Sequence, residues 1–158
     1  TLRWAAREGR PWMTARPVNH IGPRQSRDFV IPSFALQLAA IARGEAPARV
    51  RIGNLDSLRD FMDVRDTVRG YRLLIERGRG GEAYNLATGR METVGRMLDM
   101  LCALAGVNPE RAADPALYRP TDASPRLDTR KIREHCGWTP ERTLEDSIRA
   151  IYDDIAGR

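Results

Sequence analysis

The 158-residue sequence predicts an α/β protein. Two observations carry this. Short apolar runs alternate with longer segments whose apolar residues recur every three to four positions, and each switch is punctuated by Gly, Pro or a capping residue. The runs are also short and few, so the sheet they build is meagre for the number of helices around it. The organising stretch is Arg16-Pro17-Val18-Asn19-His20-Ile21-Gly22-Pro23-Arg24-Gln25. Trp12-Met13-Thr14-Ala15 leads into it as a buried strand over 12–16, and Pro17 and Gly22-Pro23 then break the ladder. Open α/β sheets bind ligands just past the carboxyl ends of their strands, which is where this amide, imidazole and guanidinium group cluster falls.

The elements follow in order. Residues 1–9 read as the end of a helix stopped by Gly9. Ile31, Phe34, Leu38 and Ile41 recur at helical spacing, with Pro32 in the first turn and Gly44 as the stop. Val50 and Ile52 alternate with Arg49 and Arg51 at the strand period, and Arg59-Asp60-Phe61-Met62 is a second extended piece. Asp63 caps a helix whose expected buried stripe is Val64, Val68, Tyr71, Leu74 and Ile75, closed by Gly78. Residues 83–87 form a short strand. Thr93 caps the cleanest amphipathic pattern, Val94, Met97, Leu98, Leu101 and Leu104, which ends at Gly106. Four prolines make 107–127 an expected loop. Asp128 caps a short helix through Ile132 that stops at Gly137. Thr143 caps the last helix, with Ile148, Ile151 and Ile155 inward.

Composition narrows the function classes. The net charge is +5, and all basic residues but Lys131 are arginine. The arginines are interleaved with acids rather than gathered into a run, so no nucleic-acid partner is expected. No apolar run is long enough to span a bilayer, and no leader is apparent, so no membrane partner is expected. Two cysteines, Cys102 and Cys136, call for neither a disulfide nor a zinc site, which makes a cytoplasmic location the expectation. The sequence opens at Thr1 without Met, as a fragment or a processed chain would.

No acyl-transfer motif is present. Asp60, Asp63 and Asp66 read as capping and ion-pairing groups rather than a metal or general-base cluster. The loop arginines say more. Arg59 follows a strand and precedes an aromatic residue. Arg119 sits between Tyr118 and Pro120, with Asp122 three residues on. A guanidinium fork suits a diphosphate and a carboxylate suits vicinal hydroxyls, so these groups suggest a nucleoside-diphosphate site.

The sequence also resembles a known family. Arg16–Pro23, Val50-Arg51-Ile52-Gly53-Asn54-Leu55-Asp56, Arg59-Asp60-Phe61, Asp63–Asp66, Tyr84-Asn85-Leu86-Ala87-Thr88-Gly89, Arg119-Pro120-Thr121-Asp122 and Gly137-Trp138-Thr139-Pro140 are similar to the C-terminal half of an extended short-chain dehydrogenase/reductase, the NAD-dependent epimerase/dehydratase family. Phe29-Val30-Ile31-Pro32 and Gly53-Asn54-Leu55 look most like the GDP-sugar enzymes, the 4-keto-6-deoxy-mannose reductases first and the mannose 4,6-dehydratases second. The resemblance implies a partial Rossmann-like parallel sheet (1–27 and 64–92) plus a mostly helical substrate-binding lobe (28–63 and 93–158), in one C-terminal portion. It implies NADP or NAD as cofactor of the complete enzyme, with Pro17, Val18 and His20 against the nicotinamide end. It implies a GDP-sugar substrate, with Asn19 near the phosphates, Arg59 on the diphosphate, Arg119 on the nucleotide and Asp122 on the ribose.

The family's Gly-rich fingerprint and its Tyr-x-x-x-Lys pair are not found in these residues. No catalytic residue and no metal ligand is therefore assigned. The partner expected is a missing N-terminal Rossmann half, or a homologous chain in a homo-oligomer. The chain alone is then expected to be inactive, and marginally stable or self-associating, because a lone strand edge stays exposed. The competing expectation is a non-catalytic nucleotide-binding or interaction module.

Overall fold

The computed structural model describes residues 7–9, 12–119 and 125–157. The expected helix over 1–9 lies mostly outside them; Arg7 is helical, and Gly9 closes the turn at φ +62°. The chain is α/β as the sequence predicts. Its strands are β1 (Thr14–Pro17), β2 (Asn19–Ile21), β3 (Arg49–Ile52), β4 (Leu58–Asp63), β5 (Ala83–Leu86), β6 (Met91–Thr93) and β7 (Glu110–Ala113). Its helices are α1 (Val30–Ala42), α2 (Val64–Arg77), α3 (Val94–Ala105), α4 (Arg130–Cys136) and α5 (Leu144–Ala156), with a 3-10 turn at Pro115–Leu117.

β1 and β2 form one broken path through the molecule. β1 pairs in parallel with β5, Thr14 opposite Ala83 and Pro17 opposite Leu86. Beyond Val18 the path changes partner, and β2 pairs in parallel with β4, Asn19 opposite Phe61. β4 also pairs antiparallel with β6, and β3 runs parallel to β7. Pro17 is tolerated because the Thr14 and Val18 N–H groups are the ones that donate to β5-side carbonyls, at 3.0 and 2.9 Å. At the strand period of two, Ala15 and Pro17 turn their backbone N positions the other way, so the missing N–H of Pro17 costs the pair nothing.

Capping works as the sequence suggests at three helices, whereas α4 begins at Arg130 with Thr129 as N-cap and no side-chain cap bond, the expected cap Asp128 lying one residue earlier and accepting from the Arg130 N–H at 2.9 Å. The Asp63 carboxylate accepts from the Arg65 N–H at 2.8 Å, Thr93 Oγ1 from the Arg96 N–H at 3.2 Å, and Thr143 Oγ1 from the Asp146 N–H at 3.1 Å. Gly106 and Gly137 end α3 and α4 in the left-handed region. Two apolar cores result. In the larger, α1, α3 and α5 pack together with Ile21, Phe34, Leu38, Val50, Met97, Leu98, Leu101, Ile148 and Ile151 buried. In the smaller, Tyr84 and Leu86 of β5 meet Leu73, Leu74, Ile132, Cys136 and Trp138.

Three expectations change. The inward face of α2 is Asp66, Thr67, Gly70, Leu73 and Leu74, so that of the expected stripe only Leu74 is fully buried. Val68, Tyr71 and Ile75 are 59%, 38% and 80% exposed. The apolar spacing is real, but α2 rests its small Gly70 on Leu86 and the Trp138 ring, where any Cβ would collide. Within 107–127, Glu110–Ala113 is a strand, because Val50 and its neighbours need a parallel partner and the Glu110 N–H reaches the Ala48 carbonyl at 2.9 Å. Finally, Asn19–Ile21 is a strand rather than free loop, since β4 offers it a ladder.

Candidate functional site

The carboxyl end of the β1–β2 path opens into a cavity of about 790 Å³, within the size range of small-molecule sites. Pro17, Val18, Asn19 and His20 form its floor, Phe29–Ile31 and Phe34 of the α1 entry one side, and Asn54, Arg59 and Phe61 another. Leu117 and Arg119 close it from the loop after β7. Six of the seven residues singled out from sequence therefore line one cavity: Pro17, Val18, Asn19, His20, Arg59 and Arg119. Asp122 lies outside the described residues.

Local structure explains why these groups converge. β4 carries Arg59 beside the floor because it pairs with β2. Its neighbour Asp60 points inward, is buried, and accepts from the Thr88 N–H at 3.3 Å, the Thr88 hydroxyl at 2.5 Å and the Gly89 N–H at 2.8 Å. Asp60 thus ties β4 to the loop that leaves β5. The Arg59 guanidinium donates to the Leu58 carbonyl at 2.9 Å. On the facing loop, Arg119 Nη1 donates to the carbonyls of Ala116 and Tyr118 at 3.2 and 3.1 Å, which holds the side chain against its own turn. Asn54 links the two walls. Its side-chain amide donates to the Arg119 carbonyl at 3.3 Å and its Oδ1 accepts from the Asp56 N–H at 3.0 Å. Gly53 is required here, because a Cβ would run into the Leu117 carbonyl.

Sequence reasoning marks Asn54 only as a turn residue and Gln25 only as one polar group among several. The structure places both on the cavity wall. The Gln25 amide donates to the His20 carbonyl at 3.1 Å, while its Oε1 is buried without a hydrogen-bond partner among the described residues. An unpaired buried acceptor costs free energy, and no periodicity or spacing signal could have shown it.

The acids outside the cavity do structural work. Burial pushes the Asp63 carboxyl up, but the guanidinium and backbone N–H of Arg65 and the Ser147 hydroxyl outweigh this and hold it below the ordinary aspartate range. The Ser147 bond, at 2.8 Å, anchors α5 to the start of α2. Asp66 accepts from the Glu141 and Arg142 N–H groups at 3.0 and 2.9 Å. The Trp138 indole donates to the Asp66 carbonyl at 3.0 Å.

A floor at the carboxyl ends of parallel strands, walled by two arginines and by side-chain amides, offers positive charge and hydrogen-bond donors to an anionic ligand. Residues 1–151 match the GDP-mannose 4,6 dehydratase family model, and the chain belongs to that family. It is 36% identical over 164 aligned positions to a GDP-6-deoxy-D-mannose reductase of Pseudomonas aeruginosa, covering 99% of this chain and 52% of that protein. Its fold superposes on the solved structure of RMD from Pseudomonas aeruginosa complexed with NADPH with a TM-score of 0.88, at 34% identity, covering 99% of this chain and 52% of that one. It is also similar to the UDP-glucose 4-epimerase of Thermus thermophilus in complex with NAD, at a TM-score of 0.79, 27% identity, 99% of this chain and 50% of that one. The chain thus spans about half the length of these proteins. No helix among the described residues is long and apolar enough to cross a membrane.

Proposed function

We propose that this chain is the sugar-nucleotide-binding half of an NAD(P)-dependent GDP-sugar reductase or dehydratase, most like a GDP-4-keto-6-deoxy-mannose reductase. The observation that carries the reading is the convergence of Asn19, Arg59 and Arg119, distant in sequence, on one cavity beside Pro17, Val18 and His20. The likeness over 99% of the chain to a reductase acting in GDP-deoxymannose chemistry supports it.

In this reading Arg59 and Arg119 approach the diphosphate from opposite walls, each supplying charge-assisted hydrogen bonds. Asn19 contacts the substrate near its phosphates, and Asp122 holds the ribose hydroxyls. Phe29, Phe34 and Phe61 give the cavity its apolar lining. The relatives were solved with NADPH or NAD, and the residues present fit one end of such a cofactor. Pro17 and Val18 offer a flat, donor-poor surface at a strand's carboxyl end, with His20 beside it, while nothing in the sequence offers a Gly-rich cradle for the pyrophosphate. When bound, the nicotinamide supplies the hydride chemistry. This chain's own share is to bind the sugar nucleotide and orient it, a proximity role. The pyrophosphate cradle and the Tyr-x-x-x-Lys pair come from a dinucleotide-binding half outside these residues, so the chain alone does not turn over.

Calorimetric titration tests this. The chain binds GDP-mannose in preference to UDP-glucose and does not bind NADPH measurably. Arg59→Ala weakens GDP-mannose about 10-fold or more, the usual cost of losing a charged hydrogen bond, and Asp122→Ala weakens it less. A folded chain that ignores GDP-mannose, or binds NADPH with equal affinity, overturns the proposal.

A further inference from the structure

The turn after β3 mounts both arginine-bearing walls of the cavity. Downstream of it, the 54–58 connection is tied to the start of α3. The Leu55 carbonyl accepts from the Gly95 N–H at 2.9 Å and the Ser57 carbonyl from the Val94 N–H at 3.0 Å. β4 begins there and carries Arg59. On the other side, the arm Asp114–Arg119 that follows β7 is fixed to the same turn at several points. The Asp114 N–H donates to the Ile52 carbonyl at 2.9 Å, and the Asp114 carboxylate stands 3.6 Å from the Arg51 guanidinium. That carboxylate also accepts from the Ala116 N–H at 2.9 Å, which caps the 3-10 turn. The Leu117 carbonyl occupies the space that a Cβ on Gly53 would need. The Asn54 side-chain amide fastens the end of the arm by donating to the Arg119 carbonyl at 3.3 Å. Within the arm, Arg119 engages its own turn through one nitrogen. Both Nη1 hydrogens go to carbonyls, those of Ala116 and Tyr118, at 3.2 and 3.1 Å. The Nε–H and Nη2–H groups make no hydrogen bond among the described residues. Those groups form a planar edge that matches two oxygens of a phosphate.

We propose that Asn54 is a positioning residue for diphosphate recognition. Its bond to the Arg119 carbonyl keeps the arm closed, so that the Ala116 and Tyr118 carbonyls hold Nη1 and Arg119 offers its Nε/Nη2 edge to the ligand already oriented. The inference rests on the proposed function for the diphosphate as ligand, and it adds a residue that acts through Arg119 without touching the ligand. The physical reason is order. An arginine that is loose before binding loses rotamer freedom when it binds, at a cost of about 3- to 10-fold in affinity. A guanidinium already clamped by two carbonyls has lost most of that freedom on folding. An amide suits position 54 because it does two things at once. Its Oδ1 accepts from the Asp56 N–H at 3.0 Å and shapes the turn, while its Nδ2 holds the arm. A carboxylate there would lack the donor, and a hydroxyl would shape the turn without reaching the arm.

The test is a double-mutant cycle on the purified chain, titrated calorimetrically with GDP and with pyrophosphate. Asn54→Ser keeps the turn and removes the hold on the arm, and it weakens GDP about 3- to 10-fold. Arg119→Ala weakens it about 10-fold or more. The double variant is no weaker than Arg119→Ala alone, because both changes act through one guanidinium. A nitrogen–proton NMR spectrum supplies a second readout that needs no ligand. The Arg119 Nε–H resonance is distinct in the wild-type chain and collapses onto the mobile arginines in Asn54→Ser, which a loss of stability elsewhere would not produce. Effects that multiply in the cycle overturn the inference. So does an Asn54→Ser chain that binds both probes like wild type, or a wild-type chain that binds neither. Titrations with GDP-mannose and UDP-glucose keep the two proposals apart. Coupling seen with pyrophosphate but no preference for GDP-mannose defeats the functional reading only. A preference for GDP-mannose with multiplying effects defeats this one only.

Discussion

The two cores of this chain differ in how completely they close. In the larger, α1, α3 and α5 cover one another, and Leu38, Leu98 and Leu101 are fully buried on every side. In the smaller, β5 is covered by α2 and α4 on one face only, and Met13, Ala15 and Val18 of the β1 path reach only partial burial. The larger core has apolar side chains from three helices closed over one another. The smaller is less completely covered among the described residues, and its largest buried side chain, Trp138, is held by a hydrogen bond to the Asp66 carbonyl as well as by packing. The candidate site lies on the β1–β2 path that joins the two, so a closed lobe holds one wall of the cavity while its floor belongs to an open sheet.

The sharpest test of this difference removes the anchor of the smaller core. Trp138→Ala is expected to destabilise by about 3–5 kcal/mol, read as a lower urea midpoint, and to speed hydrogen exchange in β1 and β5 while α1 and α3 stay protected. Uniform loss of protection would mean that the two cores unfold as one. Leu98→Ala, in the closed core, is expected to cost about 2–5 kcal/mol, with exchange accelerating across the whole molecule because the sheet has no independent support.

Asp63 links the cores through Ser147 and Arg65, and Asp63→Asn should cost about 1–3 kcal/mol at neutral pH. The sign of its pH dependence follows from a lowered carboxyl. Its stabilisation is fully present above the ordinary aspartate value near 3.8 and is lost as pH falls through the lower folded value. Chemical denaturation between pH 6 and pH 2 should show an acid limb that is steeper in wild type than in the Asn variant. Thr93→Ala removes the α3 cap and should cost about 1 kcal/mol. Ile75→Ala comes last, within about 0.5 kcal/mol. If it costs as much as Leu98→Ala, the α2 strip is already covered and the contrast between the cores fails.

Most element identities were legible from local signals. Thr93, Thr143 and Gly106 mark their helix ends because capping is decided within one turn of chain. Val50 and Ile52 show the strand period because their alternation is local too. The β7 strand was hidden: Glu110-Arg111-Ala112-Ala113 has weak strand propensity and lies among prolines, and only the unpaired side of β3 makes it a strand. The stripe on α2 misled for a related reason. Its apolar period is correct, but its inward face is set by the approach of Leu86 and Trp138 to Gly70, a long-range contact. Arg59 and Arg119 could be singled out by residue type and neighbours, although Arg59 lies within β4 rather than in a loop, whereas the bond from Asn54 to the Arg119 carbonyl spans 65 positions of sequence.

The sequence by itself thus determined the α/β class, the caps of α2, α3 and α5 and the chemical types available for binding, since each follows from residue type and short-range spacing. The tertiary structure alone decided that those types share one cavity, and which distant elements Asp60, Asp63 and Asp66 brace. It alone decided that one flank of α2 is left bare. Pairing, burial and helix rotation depend on groups tens of residues apart, and a local pattern carries no record of which distant partner will meet it.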